Sequence, residues 1–214
     1  MSTVHHGPQS RRADSSTDTP RLRYTRVAMV LHWTVAVMIA INIVLIWIVE
    51  LIPEGFVRPA IDTHKSLGIT VMGLVSLHLL WRAANPPPAL PAAYPSWERR
   101  IAKIAHVTMY TLILALPLSG WLHDSAWKAA AQVPMKLFYL FEWPRIGFVM
   151  NLDPATKETF HKLTGQIHVW LSYVFYGLFV LHVTGALKHQ FWDRQPQLQR
   201  MAPWGRIDRA KLDR

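Results

Sequence analysis

The chain has 214 residues, of which 51% are apolar and ten are tryptophan, a composition typical of a membrane protein rather than of a soluble domain. Lys and Arg number 23 against 13 Asp and Glu, and a net charge of +10 is typical of proteins that meet nucleic acid or an anionic membrane surface. The absence of cysteine from the sequence excludes disulfides, zinc–thiolate sites, iron–sulfur clusters, cysteine nucleophiles and thioether-linked haem.

In chain order, the sequence opens with a polar segment and then alternates apolar segments with connectors. Residues 1–25 are poor in large apolar side chains, which predicts a disordered tail. Four apolar segments follow, each close to the roughly 20 residues that a helix needs to cross the hydrocarbon core. These predicted spans lie at residues 27–49, 65–84, 101–122 and 166–187.

The connectors separate the spans by composition. NPPPALPAAYPSW lies between the second and third spans, and its prolines favour an extended conformation. A long loop from Asp124 to Gly165 lies between the third and fourth, and its many aromatic residues suit a membrane interface. We therefore predict an all-α fold, an integral membrane four-helix bundle over residues 26–203, followed by a basic tail at 204–214.

The distribution of charge predicts the orientation of the bundle. In the two outer connectors and their flanks, seven basic residues are balanced by seven acidic ones. The basic residues there are Arg58, Lys65, Lys128, Lys136, Arg145, Lys157 and Lys162. The other sixteen Lys and Arg, against six acidic residues, fall in the terminal regions and the proline-rich connector. The positive-inside rule therefore places both termini in the cytoplasm, and a nucleic-acid partner would not explain such a split.

Histidines recur at two depths of this predicted bundle. His32 lies six residues after Arg26, and His182 lies six residues before Lys188, so both are expected near the cytoplasmic surface. His64 opens the second predicted span and His168 lies near the start of the fourth, both on the outer side. Because polar groups within a membrane are expensive and usually functional, we interpret the four as two opposed pairs of metal ligands.

The spacing within the fourth span fits two stacked metal centres. His168 and His182 are fourteen residues apart, nearly four helical turns, which places both imidazoles on one face about 21 Å apart along the axis. Helical bundles bind haem iron through histidines that point into the bundle core.

Two further histidines leave the assignment open at this stage. His78 also lies fourteen residues after His64, so the second and fourth spans alone would supply the pairs His64 with His168 and His78 with His182. His106 is expected at the cytoplasmic start of the third span, at the level of His32, and is a further candidate.

Several segments resemble one known family. YTRVAMVLHW, DTHKSLGITVMGL, LLWRAANPPPALP, HVTMYTLILALPLSGWL and LHVTGALKHQFWDR occur in the order and spacing of the bacterial cytochrome b561 family of four-helix, di-haem membrane proteins. The resemblance covers roughly residues 24–203. It implies two haem b groups, with His32 and His182 binding the cytoplasmic-side iron and His64 and His168 the outer one. Members usually carry arginine where this chain has His78, which disfavours that residue as a ligand.

The family includes a superoxide oxidase that passes electrons from superoxide to ubiquinone. By this resemblance Lys188 and His189, with His106 nearby, are candidates for the quinone-binding end, although Gln190 stands where many members have a second histidine. The expected function is electron transfer across the bacterial inner membrane from superoxide, or another small periplasmic donor, to quinone. The alternative is a haem-bearing subunit that connects a periplasmic dehydrogenase or hydrogenase to the quinone pool. A transporter or scaffold is disfavoured because the sequence has no discontinuous helix pattern or internal repeat.

Overall fold

The computed structural model describes residues 23–89 and 95–203. Residues 1–22 of the predicted disordered tail, which is expected to extend to residue 25, and the predicted basic tail at 204–214 lie outside the described residues. Within them the fold is all-α, as predicted, apart from two strands of two residues each. Four of its helices are long and apolar enough to cross a membrane.

The elements follow one another with short connections. The helices are α1 (Arg26–Ile48), α2 (Glu54–Ala84), α3 (Ser96–Ser125), α4 (Gly147–Met150), α5 (Pro154–Leu187) and α6 (Gln197–Met201). Between α3 and α4 lies an antiparallel hairpin of β1 (Lys136–Leu137) and β2 (Phe141–Glu142). A π-helical turn, Lys188–Trp192, directly continues α5.

Helix starts are set by local chemistry. The Thr25 side chain accepts a hydrogen bond from the Ala28 amide at the start of α1, and Asp153 accepts from the Ala155 and Thr156 amides at the start of α5. These hydroxyl and carboxylate oxygens satisfy amides that have no partner in the first helical turn. Hydrogen bonds from the side chain and amide of Thr156 and the amide of Ala155 also lower the pKa of the exposed Asp153 carboxyl. Thr25 is the last residue of the predicted disordered tail, and it is part of the fold.

The loop predicted from Asp124 to Gly165 is wrong at both ends. Helix α3 continues to Ser125, and α5 begins at Pro154, twelve residues before the predicted span. Helix α2 likewise begins at Glu54, eleven residues before its predicted span, so His64 lies ten residues inside the helix and does not open it. Apolar composition marks only the part of a helix in hydrocarbon, whereas the helix itself continues into polar sequence until a cap or proline stops it.

The long helices pack in chain order, α1 against α2, α2 against α3, and α3 against α5. At mid-depth a compact apolar cluster joins them, and its buried members are Val35, Val71, Val75, Leu112, Ile113 and Phe175. The outward faces are also apolar, with Val37, Val44 and Val180 each more than half exposed. Such residues on a bundle with its core already filled are suited to contact lipid acyl chains.

Arg200 closes the end of the bundle at which α1 and α3 begin. Its buried guanidinium donates to the backbone carbonyls of Pro88, at 3.1 Å, and Ala89, at 2.6 Å. Its own carbonyl accepts a hydrogen bond from the Tyr24 amide at 3.2 Å. One residue of α6 therefore joins the segment before α1, the proline-rich connector and the C-terminal region.

Candidate haem sites

The four predicted ligands meet in two pairs, each joining α5 to another helix. The ring centres of His32 on α1 and His182 on α5 lie 6.3 Å apart, with the ring planes at 57°. Those of His64 on α2 and His168 on α5 lie 6.1 Å apart, with the planes at 81°. Imidazole nitrogens bind metals at about 2.0–2.1 Å and lie roughly 1 Å from the ring centre, so two rings on opposite sides of one metal have centres about 6 Å apart. Both pairs have this separation.

The structure fixes which nitrogen of His168 is available. Its Nδ1 lies 3.0 Å from the Leu116 carbonyl oxygen and 3.0 Å from Ser119 Oγ, both on α3. A carbonyl oxygen only accepts, so Nδ1 carries the hydrogen and donates it, while Ser119 Oγ donates its own hydrogen to the same carbonyl at 2.8 Å. Nε2 is then the lone-pair nitrogen, as a histidine ligand held by an outer-shell partner requires.

Glycine makes room for this ring. A Cβ at Gly120 of α3 would lie 3.4 Å from Cε1 and Nδ1 of His168, which is tighter than ordinary contact. On the opposite side His64 is partly buried, and its Nδ1, shielded from solvent, makes no hydrogen bond of good geometry to the described residues. The His168 ring, held through Nδ1, thus lies opposite an imidazole that is held less firmly, and the two residues fit a metal-bearing group bound between them.

A cavity of about 780 Å³ surrounds the outer pair. Its walls come from α1, α2, α3 and α5, and its volume is in the range of small-molecule and cofactor sites. Apolar residues such as Ile43, Ile113 and Phe175 line the inner part, whereas Arg58 and Lys65 lie toward the outer mouth. Apolar walls with cations at one end suit a planar apolar macrocycle that carries carboxylates on one edge.

His78 occupies a different environment from the pairs. It is buried on α2, its ring centre lies 5.8 Å from that of Tyr110 on α3, and its Nε2 lies 3.4 Å from the tyrosine hydroxyl. Arg82 in turn stacks over the Tyr110 ring, with the guanidinium carbon 5.9 Å from the ring centre. The ring contacts described for His182 are with His32 and His106, not with His78.

His106 does reach the cytoplasmic pair. Its ring centre lies 5.6 Å from that of His182 with the planes at 78°, so His182 lies between imidazoles of α1 and α3. Helix α3 starts ten residues earlier than His106, so the residue lies deeper in the bundle than a helix start. The His106 to His182 separation is shorter than that of either predicted pair.

Lys188 and His189 lie in the π-helical turn and form an ion-pair network. Lys188 Nζ lies 3.2 Å from Glu98 Oε1, at the start of α3, and 3.1 Å from Asp193 Oδ2. His189 Nδ1 lies 2.6 Å from the same Asp193 oxygen. Burial opposes ionisation of Asp193, but the hydrogen bonds from Lys188 and His189 outweigh it and lower the pKa of this carboxyl. The network fastens the end of α5 to the start of α3.

Comparison with known proteins agrees with this architecture. Residues 23–204 match the family model described as prokaryotic cytochrome b561. The chain belongs to this family. It is 32% identical to cytochrome b561 homolog 2 of Escherichia coli K12 over 189 residues, which covers 87% of this chain and 94% of the relative.

Two more distant relatives agree. Identity is 24% to cytochrome b561 homolog 1 of Escherichia coli K12, over 85% of this chain and 97% of the relative. It is also 24% to a Yersinia pestis protein named probable superoxide oxidase CybB, over 85% of this chain and 96% of the relative. The chain is thus a multi-pass bacterial membrane cytochrome b with a b-type haem and a role in electron transfer.

In this cytochrome b561, sequence reasoning missed a second pair of histidines on the outer side. His123 and His161 stack with ring centres 3.9 Å apart and planes at 15°, and the Nδ1 of each approaches the backbone oxygen of the other at 2.8 and 2.9 Å. His161 lies seven residues before His168, two helical turns along one face. The seven-residue spacing of His161 and His168 indicates that they share a helix face, but His161 falls within the loop predicted from Asp124 to Gly165.

Proposed function

We propose that this cytochrome holds two haem b groups, one at each level of the bundle. His32 and His182 would hold the haem on the cytoplasmic side, and His64 and His168 the haem on the outer side. The observation that carries the proposal is that both pairs have the ring separation of two ligands on one metal, 6.3 and 6.1 Å. Held by two histidines each, the bound groups would supply outer-sphere electron transfer rather than oxygen binding.

The protein's own contribution is to hold neutral imidazoles in a dry core. Leu116 and Ser119 orient His168, and Gly120 leaves space for its ring. Val71, Val75 and Phe175 fill the layer between the two levels and exclude water there. About 21 Å of helix rise separates His168 from His182, so the two levels together extend across most of the hydrocarbon thickness.

The proposed reaction takes electrons from superoxide on the outer side. Support comes from the relative named probable superoxide oxidase CybB. Arg58 and Lys65 line the outer end of the cavity, but Arg58 pairs with Asp62 at 2.9 Å and Lys65 with Asp124 at 2.6 Å. Because these carboxylates neutralise the cations, we assign them no role in steering the anion.

The proposed acceptor is ubiquinone at the cytoplasmic end, in the bacterial inner membrane with both termini in the cytoplasm. Quinone reduction consumes protons, and His189 would supply them, since Asp193 holds its ring at this end of the bundle through a contact of 2.6 Å between His189 Nδ1 and Asp193 Oδ2. Lys188 and His106 flank this end, at the start of the π-helical turn and beside His182.

Haem content tests the ligand assignment directly. We expect purified wild-type protein to contain two haems per chain, His32→Gln to lose one, and His78→Gln and His106→Gln to retain both. The readout is haem per polypeptide together with the reduced-minus-oxidised spectrum of low-spin b-type haem. Retention by His32→Gln with loss by His106→Gln would instead place the cytoplasmic haem between α3 and α5, and loss by His78→Gln would place it between α2 and α5.

A purified preparation tests the reaction. We expect the isolated chain, reconstituted in lipid, to oxidise two superoxide ions to oxygen for each ubiquinone that it reduces to ubiquinol, with two protons taken up. Stable copurification with a large periplasmic redox enzyme, and no turnover of superoxide without it, would support a haem-bearing electron-transfer subunit instead.

A further inference from the structure

The hairpin between α3 and α4 has an unusual turn. Strands β1 and β2 pair Lys136 with Glu142 and Leu137 with Phe141. The Leu140 amide donates to the Leu137 carbonyl at 2.9 Å and closes a β-turn. Both central residues are left-handed, Phe138 at φ 48° and Tyr139 at φ 62°.

Aromatic residues are a poor choice for this backbone. Positive φ at both central positions of a hairpin turn favours Asn-Gly or Gly-Gly, because a Cβ meets the following carbonyl oxygen in the left-handed region. Bulky side chains held in such a conformation indicate that the side chains themselves are needed at that place.

The same residues form an exposed apolar surface. The exposed fraction is 80% for Leu140, 57% for Tyr139, 53% for Phe141 and 39% for Phe138. Four consecutive large apolar residues at the tip of a loop would be an aggregation hazard in water. These four side chains are therefore expected to contact apolar groups that do not belong to this chain.

The attachment of the turn sets its depth. Ser66, which is almost fully buried in α2, accepts a hydrogen bond through Oγ from the Phe138 amide at 2.9 Å. Ser66 lies sixteen residues before Arg82 at the cytoplasmic end of α2, about 24 Å along the helix. With Arg82 at the cytoplasmic surface of the membrane, as the orientation under the proposed function has it, a hydrocarbon core about 30 Å thick puts the turn at the level of the outer acyl chains rather than above the membrane.

Two backbone amides of the turn have hydrogen-bond partners within the chain. The Phe138 amide is satisfied by Ser66 Oγ and the Leu140 amide by the Leu137 carbonyl. Irregular backbone in lipid requires such internal partners. The polar residues Lys136 and Glu142 stand across from each other at the open end of the hairpin, and Trp143 follows them and packs near Trp121, as aromatic residues do at a membrane interface.

We propose that the hairpin of residues 136–142 inserts its apolar turn into the outer leaflet and anchors the outer side of the bundle to the acyl chains. The inserted surface is Phe138, Tyr139, Leu140 and Phe141. This surface lies at the same depth in the bilayer as the outer part of the lipid-facing surfaces of the spanning helices. Since Ser66 is two residues from His64, the anchor also fixes the depth of the helix that carries one outer imidazole.

The cysteine-free sequence allows a direct test by single spin labels on the full chain in lipid bilayers. We expect a label at Leu140→Cys to be relaxed by oxygen and protected from a water-soluble nickel chelate. The two references are Val37→Cys on the lipid-facing side of α1, with the same pattern, and Glu158→Cys on the outer extension of α5, with the opposite pattern.

Each other outcome overturns the proposal. Relaxation of the Leu140→Cys label by the nickel chelate would place the turn in water. Protection from both reagents would mean that protein, from a partner or a second copy, covers it. A second variant replaces Phe138-Tyr139 by Asn-Gly in the background of Leu140→Cys. It relieves the backbone strain of the turn but removes two apolar side chains, so the label should move toward water. An unchanged label depth contradicts anchoring by these aromatic rings.

Discussion

At the scale of single residues, the outer side of the bundle is fitted around histidine rings. Gly120 of α3 makes room for His168 of α5, and Gly165 of α5 makes room for His123 of α3. The reciprocal contacts of His123 and His161 with each other's backbone oxygens fasten the same two helices one level further out. Two small residues and two stacked rings therefore set the distance between α3 and α5 near His168.

The close contact at Gly165 leads to a prediction. A Cβ at this position would lie 2.9 Å from Cε1 of His123, so Gly165→Ala must displace the ring and break the stack. We expect it to destabilise the protein by about 1–3 kcal/mol, as for other overpacked positions.

The control is Gly177→Ala on the same helix, where a Cβ meets nothing within 4 Å. That change should be neutral or stabilise by up to about 1 kcal/mol, because alanine restricts the unfolded chain more than glycine does. Both are measured as free energies of unfolding in mixed micelles. Equal effects of the two substitutions would show that the His123 ring moves without cost.

At the scale of elements, a buried ion-pair triad joins the segment after α3 to two helices. Asp124 of α3 pairs with Lys65 of α2 at 2.6 Å and with Arg145 at 2.9 Å. The Arg145 guanidinium also donates to the carbonyls of Ala130 and Val133, at 2.6 and 2.7 Å. One carboxylate with two cations thus holds the residues between α3 and α4 against the outer end of the bundle.

Removing the charge of Asp124 should release this segment. Asp124→Asn leaves Arg145 without its anion, and Lys65 with only the more distant Asp62 carboxylate at 3.6 Å, in a site where the side chains of Asp124 and Arg145 are 6% and 7% exposed. Loss of one partner of a buried ion pair typically destabilises by about 3–5 kcal/mol. Unfolding in mixed micelles measures the effect, and proteolysis should cut between α3 and α4 faster.

Glu158→Gln is the matched control. Glu158 pairs with Lys162 at 3.2 Å, and their side chains are 51% and 70% exposed, so this ion pair is screened and should contribute less than about 1 kcal/mol. If both substitutions have the same small effect, the triad does not hold the segment.

At the scale of the whole molecule, one helix organises the site. Helix α5 supplies one imidazole to each pair, while α1 supplies the other on one level and α2 on the other. Because α1 packs on α2 and α3 on α5, the distances between the paired imidazole rings depend on the packing of all four long helices rather than of one helix pair. Arg200 completes the closure at the end where α1 and α3 begin.

The orientation proposed from the charges is testable with the same cysteine-free chain. In sealed right-side-out spheroplasts, a membrane-impermeant maleimide should label Glu158→Cys on the outer extension of α5 and not Arg99→Cys near the start of α3. Both positions are exposed, so access alone does not distinguish them. In inverted vesicles the pattern should reverse, and the opposite pattern in either preparation contradicts the positive-inside assignment.

The sequence by itself determined the helical class, the number of spanning helices and the two depths of histidine. Hydropathy and the fourteen-residue spacing of His168 and His182 are local properties of the chain. In lipid every backbone amide and carbonyl needs a partner within the protein, so an apolar segment of spanning length has few alternatives to a helix. Only the tertiary structure decided which rings face each other. How helices far apart in sequence rotate and pack decides whether His32 or His78 lies opposite His182. The same packing decides the contact of His106 with His182 and the ion pair of Asp124 with Lys65.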